Sequence, residues 1–291
     1  MTETQYNEHL RAPSPLAATA ARIAGLADYL DSRIEIPDEP GWHRITELTD
    51  PALLARWHRE VSERVGDRRV AAAYMSNWLI SFLIGGALMP VLAERRLPLA
   101  GHGDVAIRRN SDGWFDAFAV ADEALAALPD DPDAGHSSVT VVTSEDELFD
   151  LLADRILDLE PIILALRQAG PIGLPALWGA VADGIGGTAL QLADLMERDK
   201  ETAWRDAEAL IARVVARQPR MKATPRPFPV RHGDGIEFFE VRGTCCLYYR
   251  TVEHPDRNGD GYCTSCPLRP DEARRRILVD WLDQQHQVAA S

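Results

Sequence analysis

The 291 residues carry 31 Lys and Arg against 45 Asp and Glu, a formal charge of −14, with 46% hydrophobic and 26% charged residues. That composition excludes a disordered, collagen-like or small disulfide-built chain, and the length is enough to bury a proper core in one large or two modest domains. The negative charge speaks against nonspecific binding to DNA, RNA or anionic lipid, because phosphate contacts draw on Lys and Arg.

The first residues, Met1 to Arg11, are polar and include Glu3 and Glu8. They lack the basic start and apolar core of a secretory signal, and with only four cysteines in the chain this predicts a reducing, cytoplasmic location. Thr49, Asp50 and Pro51 supply a cap and a first-turn proline for a helix through Leu53, Leu54, Trp57 and Val61. The 24 positions from Val70 to Ala93 hold no charge and are long enough to span a bilayer. Ser76, Asn77, Ser81, Gly85, Gly86 and Pro90 interrupt the run, and no other stretch is comparably apolar. The expectation is a buried helix that Pro90 bends or ends, no transmembrane span, and at most a peripheral place at the inner membrane face.

At 103–120 the texture changes. Val105 and Ile107, then Asn110-Ser111-Asp112-Gly113, then Trp114, Phe115, Phe118 and Val120 predict a β-hairpin around a glycine-containing turn. Leu128 to Ser137 reads as a loop and Val139 to Thr143 as a further strand. Ser144-Glu145-Asp146-Glu147 is a capping-box pattern opening a long helix through Leu148, Leu151, Leu152, Ile156 and Leu159, punctuated by Gly170-Pro171. Helices are expected at Leu177 to Met196 and Trp204 to Val215. Pro219, Pro225, Pro227 and Pro229 read as a stiff, extended linker. Beyond it, Ile236 to Arg242 and Cys246 to Thr251 look like short strands, and a last amphipathic helix from Asp271 to Gln285 should bury Ile277, Leu278, Trp281 and Leu282. The fold expected is α+β and predominantly helical: a mainly helical domain over 1–225 with a small β-hairpin or sheet, and a C-terminal segment over 226–291.

Charge divides along the same line. From Arg213 to Arg276 there are 13 basic and 8 acidic residues, a net of +5 against −19 for the remainder.

All four cysteines fall in this end: Cys245-Cys246, sixteen residues, then Cys263-x-x-Cys266. Four thiols so close together in a cytosolic chain are most economically ligands of one metal centre. The Cys263–Cys266 spacing is a chelating turn, but the adjacent pair is foreign to structural zinc sites and to plant-type ferredoxins. A Rieske centre needs two histidines, and His254 alone lies inside the segment. Spacing does not choose between iron–sulfur and zinc, and unliganded core cysteines are the bland alternative.

The segment Thr244-Cys245-Cys246-Leu247-Tyr248-Tyr249-Arg250, followed by Cys263-Thr264-Ser265-Cys266-Pro267-Leu268, closely resembles the C-terminal signature of FhuF-like ferric siderophore reductases. More weakly, the helix around Tyr74 to Pro90 and Leu177-Trp178-Gly179 resemble the same family, so the likeness extends over most of the chain. The resemblance implies that Cys245, Cys246, Cys263 and Cys266 hold a [2Fe–2S] cluster and that the helical domain is the substrate side. It implies one-electron reduction of ferric siderophores, of hydroxamate type, in the cytoplasm. The family's usual ten residues between the cysteine pairs are sixteen here, the extra six falling into the turn His254 to Tyr262. That alters how the cluster's edge is covered more readily than it moves the ligands.

In the same turn Asp256-x-Asn258-x-Asp260-Gly261 matches half an EF-hand loop, but position twelve is Pro267 and not Glu, so calcium is not expected. Gly184 to Gly187 follows no strand and lacks a dinucleotide fingerprint. With no flavin or nicotinamide motif, electrons must come from an external donor, a ferredoxin or flavoprotein. Arg242, Arg250, Arg269 and Arg274 to Arg276 either dock it or form an ordinary solvated face. Tyr248, Tyr249 and Arg250 are expected to flank the cluster and bond its sulfurs, or else to pack in a strand. His232 is the nearest histidine to a supporting role. The competing functions are an iron–sulfur redox or iron sensor, and a zinc-stabilised siderophore-related binding protein without reductase activity.

Overall fold

The computed structural model describes residues 13–26, 31–251 and 261–289; the expected insertion turn and the EF-hand-like half-motif lie largely outside the described residues. The described fold is predominantly helical α+β. In chain order, α1 (Pro15–Leu26), β1 (Asp31–Arg33) and β2 (Trp42–Arg44) lead through a 3-10 turn at Ile45–Thr49 into α2 (Pro51–Val65) and α3 (Arg68–Glu94). Short strands β3 (Arg96–Pro98), β4 (Val105–Arg109), β5 (Phe115–Val120), β6 (Leu125–Ala127) and β7 (Val139–Val141) follow. Helices α4 (Glu145–Leu157), α5 (Glu160–Ala169), α6 (Leu174–Leu195) and α7 (Lys200–Arg217) precede a hairpin of β8 (Arg226–His232) and β9 (Gly235–Val241), and α8 (Asp271–Ala289) closes the described chain.

The core runs along α3 and α6. Leu79, Ile80, Ile84 and Leu88 of α3 meet Trp178, Val181 and Ile185 of α6, all at most 1% exposed. Burial on two sides explains the missing charges of the 70–93 run. This helix is, among the described residues, long and apolar enough to cross a bilayer, yet two thirds of its apolar window is packed inside the protein. Pro90 does not end it. The helix continues to Glu94 and stops where Arg95 turns left-handed (φ 58°), its N–H returning to Val91 O at 2.8 Å.

The expected hairpin is β4–β5, its turn held by Asn110 Oδ1, which accepts from the N–H groups of Asp112 (3.1 Å) and Trp114 (3.0 Å). It sits at the centre of a four-stranded sheet ordered β1-β5-β4-β2. A second sheet, β3-β6-β7, joins segments far apart in sequence. Asp50 caps α2 through Ala52 N–H. At Ser144 only half of the capping box forms: Ser144 Oγ accepts from Glu147 N–H, while the Glu147 carboxylate turns to Thr143 N–H and hydroxyl. The single long helix expected from 145 onward is two, α4 and α5. Pro161 cannot donate and crowds the carbonyl four residues back, which belongs to Leu157, the last residue of α4.

The proline-rich stretch is not a free linker. Pro227 and Pro229 lie within β8, at alternate positions beside the buried Phe228 and Val230. Their missing N–H groups therefore fall on the open edge of a two-stranded ribbon, where a strand tolerates proline. The ribbon and α8 share a small core of Phe228, Val230, Val241, Leu278 and Leu282. Of the α8 residues expected inside, Leu278 and Leu282 are buried, Ile277 is half-buried, and Trp281 is 47% exposed. Arg274, on the same helix, is fully buried instead.

Candidate metal centre

Strand β9 delivers the first cysteine pair. Its last residue is Val241, and Arg242 N–H then donates to Ser265 O (3.0 Å), drawing the second cysteine segment alongside the first. Gly243 passes so close to the 223–224 backbone that a Cβ there would lie 2.8 Å from it. This squeeze seats the loop on α6, where the Asp183 carboxylate accepts from Gly243 N–H (2.6 Å), Thr244 N–H (3.0 Å) and the Thr244 hydroxyl. Gly179, one turn earlier on α6, leaves room for the Thr244 methyl.

Residues 246–251 are not the strand expected from their composition. Leu247 is left-handed (φ 59°) and Tyr248–Arg250 form a 3-10 turn. The reversal lets Leu247 N–H return to Cys245 Sγ at 3.4 Å and Tyr248 N–H bond Cys246. It also turns Tyr248 and Arg250 toward the helical body and away from the thiols. Tyr248 stacks on Tyr74 of α3 (5.1 Å between ring centroids, 6° between planes), and Arg250 pairs with Asp67 at 2.8 Å.

The second pair sits on a turn in which Cys266 N–H donates to Cys263 O at 3.1 Å. Two buried arginines brace it. Arg274 donates to the carbonyls of Thr264 (2.8 Å), Cys266 (2.6 Å) and Arg269 (3.0 Å), and Arg269 donates to those of Cys263 (3.2 Å) and Tyr262. Arg269 and Arg274 are 2% and 0% exposed, so neither belongs to the docking face proposed for them from sequence. His232 is also elsewhere, against Asp283 and His286 of α8.

None of the four cysteines is in a disulfide, and they converge as two pairs that cross the sequence. Cys245 Sγ lies 3.7 Å from Cys266 Sγ, while Cys246 and Cys263 face a common donor, Arg242 Nη2. Each pair joins one buried thiol (Cys246, Cys266) to one half-buried thiol (Cys245, Cys263). Within each pair one sulfur is poised to ionise. The hydrogen bond from Cys263, against the cost of burial and with help from Arg242, brings Cys246 down to about 5. That from Cys245 brings Cys266 down to about 6, while Cys245 and Cys263 are pushed up as the proton-holding partners. Arg242 Nη2 stands 3.5 Å from Cys246 Sγ and 3.7 Å from Cys263 Sγ. Burial works against its charge, but the negative charge at Cys246, Cys263 and Asp183 overcomes that and raises its pKa.

This geometry bears on the group the thiols can hold. Two thiolates about 2.3 Å from one tetrahedral ion stand about 3.7–3.8 Å apart, and in a single-zinc site all four sulfurs keep that spacing mutually. Cys245 and Cys266 have it. Among the described residues, however, no three Cys, His, Asp or Glu side chains converge as a single-ion site. Two dithiol pairs, each receiving N–H donors at sulfur, are a donor set that could hold a centre of two ions.

Cys246 borders a cleft of about 580 Å³. One wall is aromatic, with Tyr74, Trp78 and Phe118; α6 contributes Gln191, and the floor includes Arg242 and Cys246. Trp78 is 42% exposed and packs against Trp114 at 4.7 Å. Glu240 also lines the cleft, its Oε1 buried without a hydrogen-bond partner, and burial raises its pKa well above the carboxylate range. A separate cavity of about 150 Å³ beneath α1 is apolar and has no thiol in its lining.

Sequence reasoning found the four thiols but missed Asp183 and Glu240. Asp183 had a signal: it is the one charge within the otherwise apolar Leu174–Ala193 stretch of α6. Glu240 had none, since alternation in β9 places it only on a sheet face. Compared with protein-family models and with curated proteins, the chain matches none.

Proposed function

We propose that this chain is a one-electron reductase of ferric siderophores, of hydroxamate type, acting in the cytoplasm through a [2Fe–2S] cluster held by Cys245, Cys246, Cys263 and Cys266. The observation that carries it is the junction of two dithiol pairs with an aromatic cleft large enough for a chelate, Cys246 belonging to both. The resemblance of the Cys-Cys-Leu-Tyr-Tyr-Arg and Cys-x-x-Cys-Pro-Leu segments to FhuF-like reductases supports the same conclusion.

When bound, such a cluster supplies single electrons, which is the stoichiometry of converting Fe(III) to Fe(II). Ferric iron is a hard cation held by charged oxygens; one added electron lowers its charge and weakens every bond to the chelator. The chain's own groups have simpler duties. Tyr74, Trp78 and Phe118 offer flat apolar surface to the organic shell of the chelate, and Gln191 offers a hydrogen-bonding amide. Hydroxamate siderophores are neutral or cationic, which suits a helical body whose residues 1–225 carry a net charge of −13. Electrons come from an external ferredoxin or flavoprotein.

The test is anaerobic purification followed by visible and EPR spectra, then addition of a ferric hydroxamate to the dithionite-reduced protein with a ferrous trap present. Rapid reoxidation with stoichiometric ferrous iron is expected. A colourless zinc protein overturns the proposal. A red protein indifferent to ferric siderophores overturns the activity and leaves a redox sensor.

A further inference from the structure

Resting on the [2Fe–2S] assignment just proposed, we infer how the thiols divide between the two ions and which ion faces the substrate. Cys245 and Cys266 share one ion, Cys246 and Cys263 share the other, and Arg242 makes the second the one that accepts the electron.

The division follows from which sulfurs are near one another. The sequence invites a different pairing, with the adjacent cysteines on one ion and the Cys-x-x-Cys turn on the other. The fold crosses them. Left-handed Leu247 sends the chain back past Cys245, and the Arg242 N–H to Ser265 O bond sets the two segments side by side. Cys245 then meets Cys266 at 3.7 Å, the edge of a tetrahedron around one ion, and Cys246 and Cys263 are drawn together at one donor, Arg242 Nη2, 3.5 and 3.7 Å from their sulfurs. Each ion thus takes one ligand from each segment, so neither segment alone carries a complete half of the site.

The two pairs have unequal surroundings. Arg242 directs a single nitrogen, Nη2, at both Cys246 and Cys263, and no guanidinium contact of this kind is made to Cys245 or Cys266 among the described residues. Hydrogen bonds and positive charge at sulfur stabilise the more negative, reduced state of the ion that sulfur holds. Arg242 and Cys246 also form part of the cleft floor, whereas Cys245, Cys263 and Cys266 do not line the cleft. An electron from the external one-electron donor would therefore be favoured on the ion that Cys246 and Cys263 would hold, the pair that includes the cleft-lining thiol. Arg242 acts as a positioning residue, through the thiolates and not on the substrate.

The experiment compares single Cys→Ser variants of the full chain, reading iron content, EPR and reduction potential. A serine oxygen is a harder donor that favours ferric iron, so it matters most on the ion that is reduced. Cys246→Ser and Cys263→Ser should lower the potential by similar, large amounts, and Cys245→Ser and Cys266→Ser by similar, smaller ones. Effects that group 245 with 246 overturn the division, and four equal effects overturn the localisation. Arg242→Gln should keep the iron content but shift the oxidised-to-reduced ratio at a fixed donor potential at least tenfold toward oxidised, about 59 mV for one electron. Arg242→Lys should recover part of it. An unchanged potential in Arg242→Gln overturns the role of Arg242.

Where a serine variant fails to load iron, double variants of the metal-free full chain read the pairing directly. Diamide takes two electrons and two protons from a pair of thiols as they form a disulfide. Chains keeping only Cys245 with Cys266, or only Cys246 with Cys263, should cross-link at least tenfold faster than chains keeping Cys245 with Cys263 or Cys246 with Cys266. Equal rates overturn the division. If the wild-type protein holds no two-iron cluster but the disulfides form as stated, the cofactor assignment fails and the thiol pairing stands.

Discussion

Asp183 tests whether the helical body holds the cysteine loop in the way the structure describes. Its carboxylate is 5% exposed and accepts two backbone N–H groups and one hydroxyl from Gly243 and Thr244. Burial raises its pKa from 3.8 to about 6, against the lowering effect of those hydrogen bonds and of Arg242. A carboxyl whose folded pKa is raised binds its proton more tightly in the native state, so its contribution to stability is full below the unfolded pKa and is lost as pH rises through the folded one. A shift of this size corresponds to about 3 kcal/mol in all, of which about 2 kcal/mol falls between pH 4.5 and 7.5. Asp183→Ala also leaves two buried N–H groups without their acceptor, at about 1–3 kcal/mol each. The variant should therefore be less stable in urea unfolding followed by helical circular dichroism, with the deficit larger at pH 4.5 than at pH 7.5 by about 2 kcal/mol. Asp183→Asn keeps one acceptor oxygen and should lose less, with the same flattening of the pH profile. Parallel pH profiles for wild type and both variants would refute a buried, proton-binding Asp183.

Three further outcomes follow from single contacts. Arg274→Met strips two carbonyls of the Cys263–Cys266 turn and that of Arg269 of their donor, and a loss of about 3 kcal/mol or more is expected in urea, with faster labelling of Cys263 and Cys266 by a thiol reagent; a loss under about 1 kcal/mol contradicts the bracing role. Gly179→Ala drives a Cβ into the Thr244 methyl and should cost about 1–3 kcal/mol, where an exposed glycine-to-alanine change in a helix normally gains stability. Trp78→Ala removes a half-exposed ring of the cleft wall. Thermal stability should hardly move, while KM for a ferric hydroxamate rises about tenfold, the equivalent of about 1.4 kcal/mol of lost contact.

What the sequence disclosed and what it hid have distinct physical causes. The α3 run and the β4–β5 hairpin were legible because local patterning specified them: an uncharged stretch of helix-forming residues, and apolar positions on either side of the Asn110-Ser111-Asp112-Gly113 turn. Strands β3 and β6 were not. Leu125–Ala127 is rich in helix formers, and it is a strand only because β3 and β7, distant in sequence, flank it and bury all three residues. Tertiary pairing there outweighs propensity. The thiols were legible as a set because clustering of cysteine is visible in one dimension. Their crossed pairing was not, because it depends on the left-handed turn at Leu247, a residue whose type gives no hint of positive φ. Tyr248–Arg250 misled for the same reason: β-favouring aromatics form a 3-10 turn because Tyr74 and Asp67 on the body take up their side chains.

The charge imbalance of the chain takes on a different meaning once these side chains are placed. A net of +5 from Arg213 to Arg276 invites the idea of a basic surface for an acidic partner. Yet the arginines nearest the thiols point inward. Arg242 faces two sulfurs and Asp183, Arg269 and Arg274 face the carbonyls that shape the second cysteine turn, and Arg250 is spent on Asp67 of the body. Four thiols gathered in a partly buried site cannot all ionise without compensating positive charge, because burial penalises each thiolate and each thiolate penalises the next. The local excess of five positive charges is of the sign that offsets thiolate charge at such a site. Much of the basic character of the segment is therefore taken up by contacts within the chain, to sulfur, to carbonyls and to Asp67. The basic side chains of the segment that remain exposed among the described residues include Lys222, Arg231, Arg275 and Arg276.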